Sequence, residues 1–255
     1  MLDPRFNKFD HFMFDLDGTV WLWTKLIDGS KKVITELYRT GKSVYFITNN
    51  TALTRAGYAA KLRSFGIEAG TEQIVNPSLP AIRLFKGKKV FVLAEGIASD
   101  LRKAGIEVTA KDADAVLIGE DRNINYNKLS AAVSAMDSGA KSYKSASGGI
   151  WLMGKRHLIG TGAIAAAIEA ATGKKAELIG KPSHHMLKEM RRLALHPAKT
   201  LIIGDELHTD IEAGNRLGWS TALVLTGNST RKDARRAKGV QKPHFILNSV
   251  GELFG

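Results

Sequence analysis

The stretch Phe14-Asp15-Leu16-Asp17-Gly18-Thr19 comes near the start of the chain, directly after the apolar pair Phe12-Met13. Its apolar lead predicts a buried β-strand. Two carboxylates, one residue apart, then follow at the end of that strand. The Asp-Gly pair is typical of a turn. Taken alone, the pattern fits an ordinary turn as well as a pair of carboxylates placed for chemistry, so the rest of the chain has to decide.

The composition is that of a globular protein. The chain has 255 residues, of which 44% are hydrophobic and 24% charged, which is enough for one large domain or two smaller ones. Cysteine is absent, which excludes a disulfide framework, a thiolate metal site and a cysteine nucleophile. The first residues are polar, unlike a signal peptide, and no apolar run approaches the roughly 18 residues of a membrane span. We therefore expect a soluble, cytoplasmic protein that does not associate with a membrane.

The chain is strongly basic, with a formal net charge of +12. Such a charge favours anionic partners, which include nucleic acid, an anionic membrane surface and small anionic substrates. The densest basic stretch runs from Arg231 to Lys242 and contains no aromatic residue. Because single-strand binders stack bases on aromatic rings, this stretch is interpreted as a solvated helix face, and no nucleic-acid partner is expected.

Short apolar runs alternate with amphipathic stretches, which predicts an α/β fold with a parallel sheet covered by helices. Residues 30–41 illustrate the helical pattern, with Val33, Ile34 and Leu37 on one face and Gly41 as the stop. Strands are predicted at 11–15, 43–50, 200–206 and 220–227. Residues 209–218 are predicted to form a helix.

The middle of the chain contains a second strand and helix series. Residues 76–80, with two prolines, are interpreted as a linker into it, and the run at 176–180 is interpreted as a return to the first sheet. The prediction is a core of residues 1–76 plus 177–255, with a smaller α/β domain of residues 77–176 inserted in it.

Polar residues follow several predicted strands of the core. In open parallel sheets, ligands bind beyond the carboxyl ends of the strands. The side chains expected at that edge are Asp15, Asp17, Thr48, Asn49, Asp205 and, in a Gly-Lys-Pro-Ser segment, Lys181. Carboxylates suit Mg²⁺, and a lysine ammonium suits a phosphate group. The sequence therefore predicts a site for Mg²⁺ and an anionic, phosphorylated ligand.

These residues also suggest a reaction. Asp15, at the strand end, is the expected nucleophile on a phosphate ester, giving an aspartyl-phosphate. Asp17 is the expected acid that protonates the leaving oxygen and the base that then activates water. Thr48 and Asn49 can donate hydrogen bonds to the phosphoryl oxygens, while Lys181 offsets their charge.

Four segments, FDLDGTV, FITNN, GKPS and GDELHTD, resemble the four ordered motifs of the haloacid dehalogenase-like hydrolases. The likeness is closest to the NagD or 4-nitrophenylphosphatase-like branch and extends over nearly the whole chain. It implies a Rossmann-like core with a large α/β cap between the second and third motifs, where the inserted domain is predicted.

The resemblance also implies roles for individual residues. Asp15 would be nucleophile and Mg²⁺ ligand, Asp17 the acid and base whose main-chain carbonyl also binds the metal, and Asp205 the third protein ligand. Thr48 and Asn49 would hold the phosphoryl group, and Lys181 would pair with it and with the nucleophile. Asp210 would be an acid behind the metal ligands, although Thr209 to Glu212 also matches a helix capping box. Dimers formed through the caps are frequent in the branch, which makes a homodimer an expectation by analogy.

The expected function is Mg²⁺-dependent hydrolysis of a small phosphorylated metabolite, with 4-nitrophenyl phosphate as an artificial substrate. A phosphomutase with the same site, or a basic nucleic-acid-binding protein on a degenerate hydrolase scaffold, are the alternatives. The segment from Ser145 to Gly149 departs from the pattern of the branch, so the resemblance does not select one substrate. It implies phosphoglycolate, glycerol phosphate, sugar phosphates, nucleoside monophosphates and pyridoxal phosphate as candidates. Trp21 and Trp23 are interpreted as packing residues of a hairpin beside the site.

Overall fold

The computed structural model describes residues 2–153 and 156–254. The helices are α1 (Ser30–Arg39), α2 (Arg55–Ser64), α3 (Ser78–Leu84), α4 (Glu95–Lys103), α5 (Tyr126–Asp137), α6 (Thr161–Thr172), α7 (His184–Arg191), α8 (Glu212–Arg216) and α9 (Arg231–Arg236). The strands are β1 (His11–Asp15), β2 (Trp21–Leu22), β3 (Lys25–Leu26), β4 (Ser43–Ile47), β5 (Ile74–Val75), β6 (Lys89–Leu93), β7 (Glu107–Val108), β8 (Ala115–Ile118), β9 (Lys141–Lys144), β10 (Ile150–Met153), β11 (Arg156–Ile159), β12 (Glu177–Leu178), β13 (Thr200–Gly204), β14 (Ser220–Val224) and β15 (Phe245–Leu247). Within these two ranges, no helix has the length and apolarity to cross a membrane.

The chain forms two compact units. The first unit comprises Met1–Thr48, Tyr58–Val75 and Leu187–Gly255, and the second comprises Asn49–Gly57 and Asn76–Met186. Each unit has its own parallel sheet and its own apolar core.

The first unit contains a six-stranded parallel sheet in the order β15-β14-β13-β1-β4-β5. Strand β1 is central, with Phe14 opposite Ile203 of β13 and Asp15 opposite Ile47 of β4. Because all strands run the same way, the residues that follow β1, β4 and β13 emerge at one edge of the sheet. This register brings Asp15, Thr48 and Asp205 to the edge predicted from the sequence.

The core of the first unit explains why β1 is central. Phe12 and Phe14 on one face of β1 and Met13 on the other are all fully buried, as expected for a strand covered on both faces. Helix α1 packs through Val33, Ile34 and Leu37, which are all buried, and Gly41 after it has a φ of +73°. The amphipathic pattern of residues 30–41 therefore predicted this helix and its end correctly.

The second unit contains a five-stranded parallel sheet in the order β12-β9-β8-β6-β7. Successive residues of β8 belong to different cores: Val116 packs with α5 and α6, whereas Leu117 packs with α3 and α4. Since side chains alternate across a strand, helices cover both faces of this sheet as well. The hairpin of β10 and β11 is antiparallel and belongs to the same unit.

Two features differ from the expectations for this region. Residues 78–84 form α3, which includes part of the expected linker, with Pro80 tolerated in the first helical turn. Strand β12, expected to return to the first sheet, pairs in parallel with β9 of the second. A strand of two residues carries no pattern that distinguishes one parallel neighbour from another. The boundaries at 76 and 177 stay a prediction, while the second unit continues to Met186.

Candidate active site

The turn after β1 is fixed by main-chain hydrogen bonds. The carbonyl of Leu16 accepts from the N–H groups of Val20 and Trp21, at 2.9 and 3.1 Å. Gly18 donates its N–H to the carbonyl of Trp21 at 2.8 Å, and its φ of +89° is a conformation that glycine adopts without strain. A Cβ atom at Gly18 would lie 2.6 Å from the Oδ2 atom of Asp205. Glycine is thus required here both by backbone conformation and by space.

Three buried carboxylates meet at this edge of the first unit: Asp15 at the end of β1, Asp205 directly after β13, and Asp210 in the following turn. Their side chains offer oxygen atoms that all lie within 4.8 Å of one another. The three residues are only 6%, 3% and 1% exposed. Buried like charges this close repel one another, and a divalent cation bound by their oxygens removes that repulsion. The donor set therefore fits Mg²⁺.

Asp205 is held by the loop that follows β14. The N–H of Asn228 donates to Asp205 Oδ2 at 2.6 Å, and the N–H of Ser229 donates to the Asp205 carbonyl at 3.0 Å. Gly227 lies so close to the Asp205 carboxylate that any Cβ atom there would overlap it. On the other side, Thr226 donates its hydroxyl to the carbonyl of Gly18 at 2.6 Å. This loop thus connects the turn after β1 with the carboxylate after β13.

Asp210 lies in the turn Leu207–Ile211, which has π-helical hydrogen bonds. Its Oδ2 atom accepts from the N–H of Glu206 at 3.2 Å. The capping-box interpretation was wrong: Thr209 donates its hydroxyl to the Glu206 carboxylate, and α8 begins later, at Glu212. The Asp210 side chain instead lies in the carboxylate cluster, and its role behind the metal ligands stays a prediction. A wide turn lets it point inward although the local sequence suits a helix cap.

Asp17 is partly exposed, in contrast to the buried Asp15. Its Oδ1 atom accepts a hydrogen bond from the indole Nε1–H of Trp21 at 2.8 Å. Asp17 and Trp21 also form an isolated bridge between their main chains. The packing interpretation of Trp21 was therefore incomplete, because this side chain is fully buried and bonds to the expected acid and base.

Thr48 follows β4 in the first unit and is 2% exposed. Its N–H donates to the carbonyl of Val75 at 3.0 Å, which continues the β4 and β5 pairing by one residue. The side chain thus has a fixed main-chain support at the carboxyl end of its strand. Its role toward a phosphoryl group stays a prediction.

Asn49 and Lys181 bond to each other within the second unit. Asn49 Nδ2 donates to the Lys181 carbonyl at 3.0 Å, and the Lys181 N–H donates to Asn49 Oδ1 at 2.7 Å. The Asn49 amide therefore bonds to both the N–H and the carbonyl of Lys181, as the main chain of a neighbouring strand would. Gly180 packs against Asn49 Oδ1 and the Ser145 carbonyl, leaving no room for a Cβ atom. Asn49 was predicted as a phosphoryl donor, and the structure adds a second task, that of fixing the main chain at Lys181.

Three residues of the site, Trp21, Gly227 and Asn228, were not predicted as functional from the sequence. A signal for the last two was available, since the polar, Gly-containing run after β14 lies at the carboxyl end of a core strand. For Trp21 no signal was available, because a buried tryptophan has the same sequence pattern whether or not its N–H bonds to a carboxylate.

Comparisons with known proteins agree with this geometry. Residues 12–107 match the family model described as haloacid dehalogenase-like hydrolase, and residues 178–253 match a second model for hydrolases of that type. Mouse chronophin is 31% identical, with 94% of this chain and 90% of chronophin covered. A magnesium complex of glycerol phosphate phosphatase from Mycobacterium tuberculosis superposes with a TM-score of 0.90 at 26% identity, covering 100% of this chain and 79% of that one. For 4-nitrophenylphosphatase from Thermotoga maritima the TM-score is 0.87 at 28% identity, covering 96% of both chains.

The chain belongs to the haloacid dehalogenase-like hydrolase family. Within it, the chain falls in the NagD or 4-nitrophenylphosphatase-like branch that the resemblance implied. It is a phosphatase, a hydrolase of phosphoric monoesters, and enzymes of this class use Mg²⁺.

Proposed function

We propose that the enzyme hydrolyses the phosphate monoester of a small metabolite through an aspartyl-phosphate formed on Asp15. The cluster of Asp15, Asp205 and Asp210 is the observation that carries this proposal. Three buried carboxylates at the carboxyl edge of a parallel sheet repel one another and so destabilise the fold. A bound cation would remove this repulsion and would also attract an anionic substrate.

Asp15, Asp205 and the main-chain carbonyl of Asp17 are the proposed Mg²⁺ ligands, with Asp210 beside them. Bound there, the ion offsets the negative charge that the nucleophile and the phosphoryl group bring together. The hydrogen bonds from the loop after β14 support this arrangement, because the N–H of Asn228 orients the carboxylate of Asp205 and the N–H of Ser229 holds its main chain.

The reaction then needs two aspartates in different protonation states. The Asp15 carboxylate attacks phosphorus while the bond to the ester oxygen breaks, and Asp17 gives its proton to that oxygen. In the second step the Asp17 carboxylate takes a proton from water, whose oxygen bonds to phosphorus as the bond to Asp15 breaks. Phosphate is released, and both aspartates return to their starting states.

Thr48, Asn49 and Lys181 are proposed to bind the phosphoryl group, as the family likeness implies. Thr48 has a hydroxyl donor, and Lys181 has the positive charge that suits a phosphate. The reciprocal bonds between Asn49 and Lys181 support a positioned lysine, since they fix its main chain on both the N–H and the carbonyl side.

The substrate is proposed to be a small phosphorylated metabolite. Glycerol phosphate, which the M. tuberculosis relative hydrolyses by its name, and 4-nitrophenyl phosphate are the first esters to test. A cysteine-free composition supports a cytoplasmic location, and the family likeness supports a homodimer. Nucleic acid is not proposed as a partner.

The decisive experiment measures phosphate release from a panel of esters, with Mg²⁺ or with EDTA. We expect release to require Mg²⁺ and to fall at least roughly 10³-fold in Asp15→Asn, as happens when other hydrolases lose a covalent nucleophile. Asp28→Asn makes the same chemical change at an exposed position and is expected to retain wild-type activity.

Other outcomes would identify the alternatives. A phosphomutase would isomerise its substrate with little free phosphate. A nucleic-acid-binding protein would bind DNA or RNA with an affinity that falls steeply with salt and is the same in Asp15→Asn. Activity that is indifferent to both EDTA and Asp15→Asn would refute the proposed mechanism.

A further inference from the structure

The hydrogen bond between Trp21 and Asp17 is built into the turn after β1. Trp21 is fully buried and lies in β2, where it pairs with Leu26 of β3. The main-chain bond from Gly18 N–H to the Trp21 carbonyl brings the two side chains to the same side of the turn. The indole Nε1–H then reaches Asp17 Oδ1 at 2.8 Å, a normal length for a bond to a carboxylate.

The indole itself is held by α2 and the residue after it. Lys61 Nζ lies 4.0 Å from the centre of a Trp21 ring and donates to the Trp23 carbonyl at 3.0 Å. The Phe65 ring packs at 5.9 Å, tilted by 43°. A cation over an indole face is attracted to it, and a packed ring limits rotation. Both ends of the hydrogen bond are thus fixed by the fold of the first unit.

We propose that Trp21 is a positioning residue for the general acid and base, and that it selects Asp17 Oδ2 as the oxygen that moves the proton. This inference rests on the proposed function, in which Asp17 has that role. The indole N–H is a donor only, so it cannot accept a hydrogen bond from a protonated Oδ1. The mobile proton therefore belongs on Oδ2, and the carboxyl plane is fixed by the bond on Oδ1.

The chemical step is then defined at one atom. The proton leaves Oδ2 for the ester oxygen as the bond from that oxygen to phosphorus breaks. In the second step Oδ2 takes a proton from water, whose oxygen bonds to phosphorus as the bond to Asp15 breaks. Trp21 gives up no proton in either step, and its effect is to orient the carboxyl group.

A packing role and a positioning role differ in their dependence on the leaving group. An alkoxide needs a proton to leave, whereas 4-nitrophenolate spreads its charge over the ring and leaves without one. Loss of packing would slow the enzyme on every ester alike. Loss of a positioned acid would slow it on alkyl esters and spare the aryl ester.

The test compares kcat/KM for glycerol phosphate and 4-nitrophenyl phosphate in wild type and Trp21→Phe. The value of kcat/KM depends on the steps up to departure of the leaving group. The later attack of water on the aspartyl-phosphate therefore does not mask the effect of Trp21→Phe. We expect a fall of about 10- to 100-fold for the alkyl ester, part of the roughly 10²- to 10⁴-fold that a positioned acid contributes, and less than about threefold for the aryl ester.

Further variants make the result specific. Asp17→Asn should show the same pattern with a larger loss, and adding Trp21→Phe to Asp17→Asn should have no further effect on the alkyl ester, because both act on one group. Trp219→Phe changes another buried tryptophan of the first unit and should not alter the ratio between the two esters. If Trp21→Phe does not fold, benzothienylalanine at position 21 keeps the shape of the indole and replaces only its N–H.

Each outcome has one meaning. Equal losses on both esters, or additive losses in the double variant, would overturn the positioning role and leave Trp21 as a packing residue. No Mg²⁺-dependent phosphate release from any ester in the wild type would instead refute the proposed function, and that is measured before any variant is made.

Discussion

Gly18 meets two structural requirements of the site, one of backbone conformation and one of space. Its φ of +89° is unfavourable for any L-residue, and a methyl carbon on its Cα would lie 2.6 Å from Oδ2 of Asp205. Gly41 has a similar φ of +73°, but nothing lies within 4 Å of the corresponding position. Alanine at either position introduces backbone strain, but only alanine at Gly18 would also displace the carboxylate of Asp205, a proposed metal ligand. Comparing the two variants therefore distinguishes the two effects.

We expect Gly41→Ala to lose about 1–2 kcal/mol in the free energy of unfolding, the strain of a left-handed residue, and Gly18→Ala to lose at least as much, because its methyl group must also displace Asp205. Only Gly18→Ala should also raise the Mg²⁺ concentration for half-maximal activity, by about 10-fold or more, because displaced support of a ligand typically weakens metal binding by that factor. Urea unfolding and a Mg²⁺ titration of activity measure the two effects. An equal Mg²⁺ requirement in both variants would contradict the placement of Asp205 at the metal.

At the scale of elements, one carboxylate ties α6 to β9 and to the segment before β12 in the second unit. Glu169 is 8% exposed and bonds to Lys175 Nζ at 2.8 Å, to Lys144 Nζ at 2.9 Å and to the N–H of Ala176 at 3.1 Å. The bonds from Lys175 and Lys144 lower the pKa of Glu169 from 4.5 to about 2. A carboxyl pKa that is lower in the folded state contributes stability above its unfolded pKa, and that stability is lost as the pH falls through the folded pKa.

Glu169→Gln is therefore expected to lower the free energy of unfolding by about 2 kcal/mol at pH 7, a value reduced to allow for the exposure of Lys175. The difference from wild type should be constant from about pH 6 to 8 and should shrink below about pH 4.5. Urea unfolding at several pH values measures it. Glu107→Gln removes only an exposed ion pair of 3.9 Å and should change little at any pH. If the difference in unfolding free energy between wild type and Glu169→Gln grew as the pH fell, the lowered pKa of Glu169 would be contradicted.

At the scale of the whole molecule, the net charge of +12 attracts an anionic substrate and so raises the rate of encounter with it. Salt screens such attraction, since the Debye length falls from about 30 Å at 0.01 M to about 8 Å at 0.15 M. We expect kcat/KM for a phosphate ester to fall on the order of tenfold between about 0.01 and 0.5 M NaCl at constant Mg²⁺, while kcat stays nearly constant. If kcat falls in step with kcat/KM, salt acts on the fold or the metal site and not on encounter.

Several features of this protein could be predicted because they are encoded in short segments of the chain. The apolar run before Asp15, the carboxylate pair and Gly18 lie in one short segment, and the pattern of α1 repeats within twelve residues. Hydrophobic periodicity and turn chemistry act over such distances, so these elements and the strand-end residues could be predicted. The order of the four motifs also indicated the protein family, and the comparisons confirmed it.

Contacts between groups that are distant in the chain could be seen only in the folded structure. Asn49 and Lys181 are 132 residues apart and exchange two hydrogen bonds, and Asn228 reaches Asp205 from another loop. Strand β12 pairs with β9 and not with the first sheet. Trp21 bonds to Asp17 across only four residues, yet the direction of its indole depends on Lys61 and Phe65. Such contacts depend on how sheets and helices close on one another, and residue types along a single chain do not contain that geometry.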